Sequence, residues 1–326
     1  IPYVLPPGIE REKIYATTSM TDMNEQAQSL KIGELSDGDA RAIYKSMELD
    51  MRQYKHLRMF VHAEQLNEFD QYKKGDLSIF VRLGTDFTNN YYEYELPLTF
   101  TPWYTGYNNE ELIWPESNNV DIDLEQLVKV KENRNAKIRA NDITVSSTIP
   151  YHEIIDGKKM TVVGMPNIAG VKVLMIGIRN PKKQNINDND DMLPKSAEIW
   201  INELRLTDFN RSGGWAATGF ARTNLADLGD VSLSASHRSA GFASLEQSIS
   251  EISQEAITSL DFATNIEVGK FFPEDWGVRL PVHFDYSQSV SNPRYNPLDP
   301  DVKLENDLLS YRTETERDSI RHMVQD

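Results

Sequence analysis

Residues 197–209 read AEIWINELRLTDF, a β-type pattern whose apolar face changes partway along. Its two isoleucines, Ile199 and Ile201, share one parity, whereas the two leucines that follow share the other. Because side chains alternate between the faces of a strand, one extra residue would return both apolar pairs to one face. The pattern predicts a strand that closes a sheet, with a β-bulge at Asn202–Glu203. The alternative is a strand buried on both faces, for which parity has no meaning.

Short apolar segments rich in β-forming residues precede this strand, separated by Gly, Asn, Asp and Pro. They are LRMFVHA (57–63), LSIFVRL (77–83), YYEYELPL (91–98), KKMTVVGMP (158–166) and VKVLMIGIRNP (171–181). Several short strands joined by turns indicate a mainly β fold, an antiparallel β-sandwich of jelly-roll type. Trp200 is expected to be buried in its last strand, and DLEQLVKVKENR (123–134) predicts a short helix.

The sequence also predicts one N-terminal helix, within SDGDARAIYKSMELDMRQYK (36–55). Ser36 and Asp39 form a pair that resembles a capping box. Helical spacing then relates four apolar residues, which are Ala40, Ile43, Met47 and Met51. Residues 1–35 contain several prolines and a polar run, and they predict an extended strap or linker rather than a domain.

The pattern changes after Phe209, where strands begin to alternate strictly between apolar and polar residues. The alternating segments are VSLSASHR (231–238), FATNIEV (262–268) and VRLPVHFDYS (278–287), with aromatic residues near their ends. Such segments are typical of a transmembrane β-barrel, and the alternative is a soluble antiparallel sheet with one wet face. Even four such strands could not enclose an aqueous lumen, so the rest of the wall would lie outside this sequence.

The polar positions of these strands are candidate lumen-facing residues. They are Arg222, Arg238, Arg279, His283 and Asp285. Four domains follow from the two patterns: a strap at 1–35, the sandwich at 36–211, barrel-wall strands at 212–296 with an inserted loop at 239–260, and a linker with a helix at 297–326.

Composition excludes several classes of protein. The chain has 326 residues, a formal net charge of −16 and no cysteine, so disulfides and thiolate metal sites are excluded. Its negative charge, with no Lys/Arg cluster, argues against nucleic-acid binding. The most apolar segment, 160–178, contains Pro166 and Lys172, so no helix is expected to cross a bilayer. The visible start, IPYVLPPGIE, lacks the features of a signal peptide and is expected to be internal to a longer protein.

Few residues suggest chemistry. His62 and Glu64 form an H-x-E pattern, either a metal or acid–base pair or a structurally satisfied histidine. Asp188, Asp190 and Asp191 resemble a calcium loop, but the required Gly and terminal Glu are absent, which favours a solvated loop. No nucleotide-binding, hydrolase or metalloprotease motif occurs. We expect no enzymatic activity and no cofactor.

Four aromatic residues are candidate contacts with a ligand or partner. They are Trp103, Tyr104, Tyr107 and Trp114, and two asparagines lie among them. Together they would form a stacking platform for a glycan. The alternative is that they pack a long loop against the domain.

Long runs of the sequence resemble the SprA/Sov family, the very large outer-membrane proteins of Bacteroidota associated with type IX secretion and gliding motility. These runs are RAIYKSMELDMRQYKHLRMFVHAE, VRLGTDFTNNYYEYELPL, KSAEIWINELRLTDF, GGWAATGFARTNLADLGDVSLSASHR, VGKFFPEDWGVRLPV and SNPRYNPLDPDV. The similarity extends over essentially the whole chain, which is a small slice of such a protein.

The resemblance implies a segment of the secretion pore, a very large single-chain barrel through which folded cargo crosses the outer membrane. It implies as partners the secreted cargo, a smaller outer-membrane barrel protein that shuttles it, a plug protein that seals the empty pore, and membrane lipid. It implies no catalytic residues, and it leaves the sandwich on either the periplasmic or the extracellular side. The competing functions are a soluble cell-surface module that binds glycan or protein and, third, a polysaccharide hydrolase.

Overall fold

The computed structural model describes residues 1–11, 13–16, 19–22, 26–107, 109–183, 190–211, 213–243, 246–247, 252–311 and 313–324. The chain divides into two compact units, Ile1–Asn210 and Arg211–Asp326. The sequence placed the change from sandwich to wall strands between residues 211 and 212.

The first unit consists mainly of short antiparallel strands. Its strands are β1 (Lys13–Ala16), β2 (Ser19–Asp22), β3 (Gln28–Leu35), β4 (Ala40–Leu49), β5 (Tyr54–Gln65), β6 (Ser78–Gly84), β7 (Tyr91–Pro97), β8 (Val120–Asp123), β9 (Tyr151–Ile155), β10 (Lys158–Val163), β11 (Val171–Arg179) and β12 (Lys195–Phe209). Its helices are α1 (Glu110–Ile113) and α2 (Leu124–Arg139).

Two larger sheets make up most of this unit, with strand orders β4-β11-β6-β7-β10-β9 and β3-β12-β5-β8, and β1 and β2 form a separate two-stranded sheet. When the β1–β2 and β9–β10 hairpins are set aside, eight strands remain. Counted along the chain, one sheet has the order second-seventh-fourth-fifth and the other first-eighth-third-sixth. This is the strand order of a jelly roll. The predicted mainly β, antiparallel sandwich is therefore confirmed.

The core of the sandwich is formed by alternate residues of each strand. In β5, the buried residues Leu57, Met59 and Val61 share one face, as period-2 alternation requires. In β7, burial raises the pKa of Tyr94, whose hydroxyl lies against the backbone of Asp121 in the other sheet. The two sheets therefore meet through these inner faces.

The predicted bulge in β12 is confirmed. Asn202 pairs with Phe60 of β5 and Arg205 pairs with Arg58, so two residues of β12 stand opposite one residue of β5. Glu203 has a φ of 53°, the left-handed conformation in which a bulge commonly begins. The extra residue restores the parity of the strand beyond it.

Burial of the second apolar pair is only partly as expected. Leu206 pairs with Leu57 and shares its inward face, but it is only half-buried. Leu204 is 41% exposed because it lies within the bulge itself, so its predicted burial is wrong. The strand has the bulge and is also buried on both faces, as the alternative proposed, because Trp200 on the opposite face is buried as well.

The predicted N-terminal helix is wrong. Ala40–Leu49 is strand β4, and it pairs with β11 from Ala40 opposite Arg179 to Leu49 opposite Val171. Pairing with the distant strand β11 outweighs the helical preference that the local spacing indicated. Residues such as Ile43 and Tyr44 also favour a strand. The strap is shorter than predicted, because the chain joins the sheet as β3 from residue 28. The short helix predicted at 123–134 is α2.

The second unit contains a meander followed by a small hairpin and two helices. Its elements are β13 (Ala216–Asn224), β14 (Gly229–Arg238), β15 (Glu255–Glu267), β16 (Pro281–Pro293), β17 (Tyr295–Asn296), β18 (Asp299–Lys303), α3 (Leu304–Leu309) and α4 (Glu314–Val324). The sheet order is β13-β14-β15-β16, and every pair is antiparallel. Across the described ranges, no helix has both the length and the apolar character needed to span a bilayer.

Two details of the wall prediction are resolved by this unit. Pro281 is the first residue of β16, a position where a missing backbone N–H is tolerated. The inserted loop predicted at 239–260 ends earlier, because β15 begins at Glu255. The helical turn predicted within that loop falls largely on residues 244–245 and 248–251, outside the described residues.

Candidate functional site

The register of the meander sheet places most large apolar residues of the four strands on one face, while Phe220 and Ile257 lie on the other. Leu233 of β14 stands opposite Ala221 of β13 and Phe262 of β15, and Phe262 stands opposite Tyr286 of β16. We call this the apolar face. It includes Ala217, Ala221, Val231, Leu233, Ala235, Leu260, Phe262, Ile266, Val282, Phe284, Tyr286 and Val290.

The apolar face is open to its surroundings. Leu233 is 42% exposed and Phe284 is 53% exposed, although both belong to regular strands. A contiguous apolar patch of this kind is uncommon on a soluble monomer and marks a surface that contacts lipid or another protein. From Val282 to Val290 this face of β16 spans about 27 Å, interrupted by Gln288, and the span is close to the ~25 Å apolar band of outer-membrane barrels.

The opposite face, the polar face, carries a ladder of hydrogen-bonded side chains. Asp261 of β15 accepts hydrogen bonds from Ser234 at 3.0 Å and from Ser287 at 2.5 Å, which joins three strands. Asn265 donates to Asp230 at 3.0 Å, and its amide oxygen lies 2.7 Å from Nδ1 of His283. Polar side chains thus link β14, β15 and β16 across the polar face.

Four of the five predicted lumen-facing residues lie on the polar face, with Arg238 at one end and Arg222, His283 and Asp285 towards the other. Arg222 contacts Asp230 at 3.3 Å. Arg279 does not join them because it precedes the first residue of β16, so strand alternation does not apply to it. That the polar face lines a lumen stays a prediction.

Aromatic side chains mark both ends of the meander sheet. At one end, exposed Trp215 stacks on the ring of His237, with centroids 4.5 Å apart. At the other end, Phe272 and Trp276 stack at 6.1 Å beside Phe271, and all three are exposed. Aromatic residues at the two borders of an apolar band are typical of membrane-embedded strands.

The H-x-E pair has a structural position in the first unit. His62 is fully buried, and its Nδ1 lies 2.7 Å from the carbonyl oxygen of Ile113. Its Nε2 lies 3.6 Å from a carboxylate oxygen of Glu64. In the ranges that the structure covers, no three His, Cys, Asp or Glu side chains are grouped as metal ligands.

The aspartate-rich loop is described only in part, because Asp188 lies outside the described residues. Asp190 accepts a hydrogen bond from the backbone of Met192, and Asp191 pairs with Lys195 at 2.5 Å. Both carboxylates are therefore engaged within the loop and its neighbouring strand.

The four candidate contact aromatics do not form one platform. Trp114 is only 2% exposed, and its indole N–H donates to the carbonyl of Val4 at 2.9 Å. It belongs to a buried cluster with Ile113 and Trp200, so its predicted role as an accessible contact is wrong. Trp103 is half-buried, while Tyr104 and Tyr107 are exposed.

Comparison with known proteins finds a family for this chain. A family model, SprA_N, described as "motility related/secretion protein", matches residues 1–308. The match therefore covers the sandwich and the meander sheet alike. A search of curated proteins finds no match.

Proposed function

The chain belongs to this family of motility-related and secretion proteins, and from that premise we propose that it is a segment of an outer-membrane pore. In this proposal the pore is that of the type IX system, and it passes folded cargo proteins across the outer membrane. The observation that carries the proposal is the open apolar face of the meander sheet. A secretion protein whose sheet is apolar on one side and polar on the other has the two surfaces that a pore wall requires.

The apolar face would contact lipid, and the polar face would line the aqueous passage. Leu233 and Phe284 would then leave water for the hydrocarbon core, which is favourable for apolar side chains. Ser234 and Asp285, one residue further along, would remain hydrated. The aromatic residues at the two ends of the sheet would lie at the membrane–water borders.

Among the residues that the structure describes, strands β13 and β16 each pair with one neighbour in the sheet, so each presents an open edge. An open edge in hydrocarbon leaves backbone groups without hydrogen bonds, which costs several kcal/mol per group. We therefore propose that further strands of the parent protein pair with both edges and complete the wall. The sandwich would lie on one aqueous side, as a contact surface for cargo, shuttle and plug proteins, with a structural rather than catalytic role.

Arginine substitution tests this proposal directly. Leu233→Arg would place a charge on the lipid side of the wall, which costs about 2–4 kcal/mol near the bilayer midplane. Ser234→Arg places the same charge on the polar face and is the matched control. We expect L233R to lower the amount of assembled protein in the outer membrane and the secretion of cargo, while S234R retains both. Equal effects of the two substitutions would contradict the proposal.

A soluble surface module remains the second candidate, because exposed aromatic residues such as Tyr104 and Tyr107 are a feature of binding surfaces. The two functions differ in what they require of the second unit. A wall segment expressed as residues 211–326 is expected to aggregate in detergent-free buffer, because its edges and apolar face stay uncovered. A monomeric, cooperatively folding segment would support the soluble module instead.

A further inference from the structure

The buried imidazole of His62 joins two parts of the loop between β7 and β8. The Nδ1 of His62 lies 2.7 Å from the carbonyl oxygen of Ile113 and 3.1 Å from the hydroxyl of Thr101. That hydroxyl donates to the carbonyl of Leu112 at 2.9 Å, and the backbone N–H of Thr101 donates to Ala63 at 2.8 Å. Thr101 and Ile113, which bound the segment 101–113 within this loop, are therefore both held to strand β5.

This loop carries exposed aromatic side chains. Tyr104 is 79% exposed and Tyr107 is 69% exposed, and the ring of Trp103 contacts that of Tyr104 at 6.2 Å. The Tyr104 hydroxyl donates to the carboxylate of Glu68 at 2.5 Å, which brings the neighbouring loop and its exposed Phe69 alongside. We call the part of this loop that carries Trp103, Tyr104 and Tyr107 the aromatic loop.

The backbone of Tyr104 is strained. Its φ is 67°, a left-handed conformation that bulky residues rarely adopt. Local strain at an exposed aromatic residue is not compensated by burial of that side chain. Strained positions held in place by surrounding structure cluster at binding sites, where they fix a side chain in advance. The contacts of His62 with the loop supply such support.

The segment 101–113, which carries the aromatic loop, is itself acidic. The loop sequence TPWYTGYNNEELI contains no Lys or Arg, and it contains Glu110 and Glu111, both exposed. Glu68 adds a third carboxylate through its contact with Tyr104. The faces of aromatic rings attract cations, and nearby carboxylates strengthen that attraction.

We propose that the aromatic loop binds an extended protein segment rich in Lys and Arg. Cationic side chains would stack on the exposed rings and pair with the carboxylates of Glu68, Glu110 and Glu111. A neutral glycan would stack on the rings but leave these carboxylates without a charged partner. Because the loop is held before binding, little ordering cost opposes the contact. The inference concerns the first unit and does not depend on which face of the meander sheet meets lipid.

The test uses the 326-residue chain in detergent micelles and fluorescence anisotropy. The probes are a labelled 12-residue peptide of Lys-Gly-Ser repeats, a matched peptide of Glu-Gly-Ser repeats, and a neutral cello-hexasaccharide. We expect the Lys peptide to bind, with an affinity that falls as salt is raised. Tighter binding of the hexasaccharide than of the Lys peptide, or equal binding of the two peptides, would overturn the proposal.

Variants then locate the binding. Tyr107→Ala and Tyr104→Gly are each expected to weaken binding of the Lys peptide about two- to fivefold, the value of an exposed cation–π contact. Tyr104→Gly also relieves the strained φ, so it separates loss of binding from loss of folding. Tyr44→Ala removes an exposed tyrosine from β4 and is the control, expected to leave binding unchanged. Equal weakening by Y44A would contradict the assignment.

A charge control is needed because the whole chain is acidic. The double variant Glu110→Gln/Glu111→Gln is expected to weaken binding and to reduce its salt dependence. Glu10→Gln/Glu48→Gln changes the net charge by the same amount at exposed positions outside the loop. Equal effects of the two double variants would show attraction by net charge alone and would refute a site at the aromatic loop.

Discussion

The imidazole of His62 stacks on the indole of Trp200, with ring centroids 4.1 Å apart and planes inclined by 31°. The two residues are direct partners in the pairing of β5 with β12. The same indole donates a hydrogen bond to Glu198 at 2.9 Å and lies near Trp114. The outer face of this sheet therefore has a packed aromatic cluster of its own, separate from the core between the sheets.

Truncation of this cluster is expected to be costly. Trp200→Ala removes a buried aromatic side chain and should lower the free energy of unfolding by about 3–5 kcal/mol. Glu48→Gln, an exposed substitution on β4, should stay within about 0.5 kcal/mol. Urea unfolding followed by near-ultraviolet circular dichroism measures both. A loss for W200A no larger than that for E48Q would contradict the position of Trp200.

The bulge in β12 gives a second prediction. Deletion of Glu203 would remove the extra residue and turn Leu206 away from the inner face, so we expect a clear loss of stability. Glu203→Gly keeps the bulge and suits the left-handed φ of 53°, so it should leave the free energy of unfolding unchanged or raise it by up to about 1 kcal/mol. The same urea titration compares them. Equal stability of the deletion and the wild-type chain would argue against the bulge.

The pH dependence of stability should include a contribution from Glu93. Burial acts to raise the pKa of Glu93, but hydrogen bonds and charge from Arg179 and Arg82 outweigh it and lower the pKa. A lowered pKa stabilises the folded state above the ordinary glutamate range, and this stabilisation is lost as pH falls through the lowered value. Glu93→Gln should therefore destabilise the chain at pH 7, by roughly 1–3 kcal/mol.

The difference between Glu93 and its glutamine variant should shrink as the pH falls below about 4, because Glu93 takes up a proton there in the unfolded chain while it keeps its charge in the folded one. Urea midpoints of both proteins, measured from pH 7 down to pH 3, give this comparison. A difference that stays constant over the whole range would contradict the ion-pair assignment.

Alanine substitution at two glycines with positive φ distinguishes the cost of a steric clash from the cost of backbone strain. Gly164 has a φ of 67°, and a Cβ there would lie 2.0 Å from the carbonyl oxygen of Asn89. Gly157 has a φ of 75° with nothing within 4 Å of such a Cβ. Both alanine variants should be destabilised by strain, by roughly 1 kcal/mol, and Gly164→Ala should lose clearly more. Melting temperatures measure the difference, and similar losses would refute the close approach.

Much of the fold follows from the sequence where local pattern and tertiary structure agree. The parity change in 197–209 was sufficient to predict the bulge, because strand alternation is a local property. The helix predicted around Ile43 failed, because pairing with β11 is a contact between residues far apart in sequence. Period-2 alternation also predicted an apolar face for each strand. It could not predict the pairing register that aligns these faces across the four strands.

The candidate site residues divide in the same way. Alternation identified His283 and Asp285 on the polar face, yet it failed for Arg279, where the strand has not begun. Asp261, which joins three strands, was missed because it lies just before the segment whose alternation was recognised. Trp114 was assigned to a surface because an aromatic residue in a loop has the same sequence signal whether it is exposed or buried.

The central claim is that the apolar face meets lipid and the polar face meets water. The 326-residue chain contains no cysteine, so single cysteines introduced into it give unique labelling sites within the segment. The matched neighbours are Leu233→Cys and Ser234→Cys on β14, and Phe284→Cys and Asp285→Cys on β16.

The decisive measurement is spin-label accessibility at these four positions in the membrane-embedded full-length protein, with the unsubstituted protein as the labelling background. Labels at 233 and 284 are expected to be accessible to oxygen dissolved in lipid, and labels at 234 and 285 to a water-soluble nickel chelate. An inverted pattern, or equal accessibility of neighbouring positions to the nickel chelate, would contradict the account.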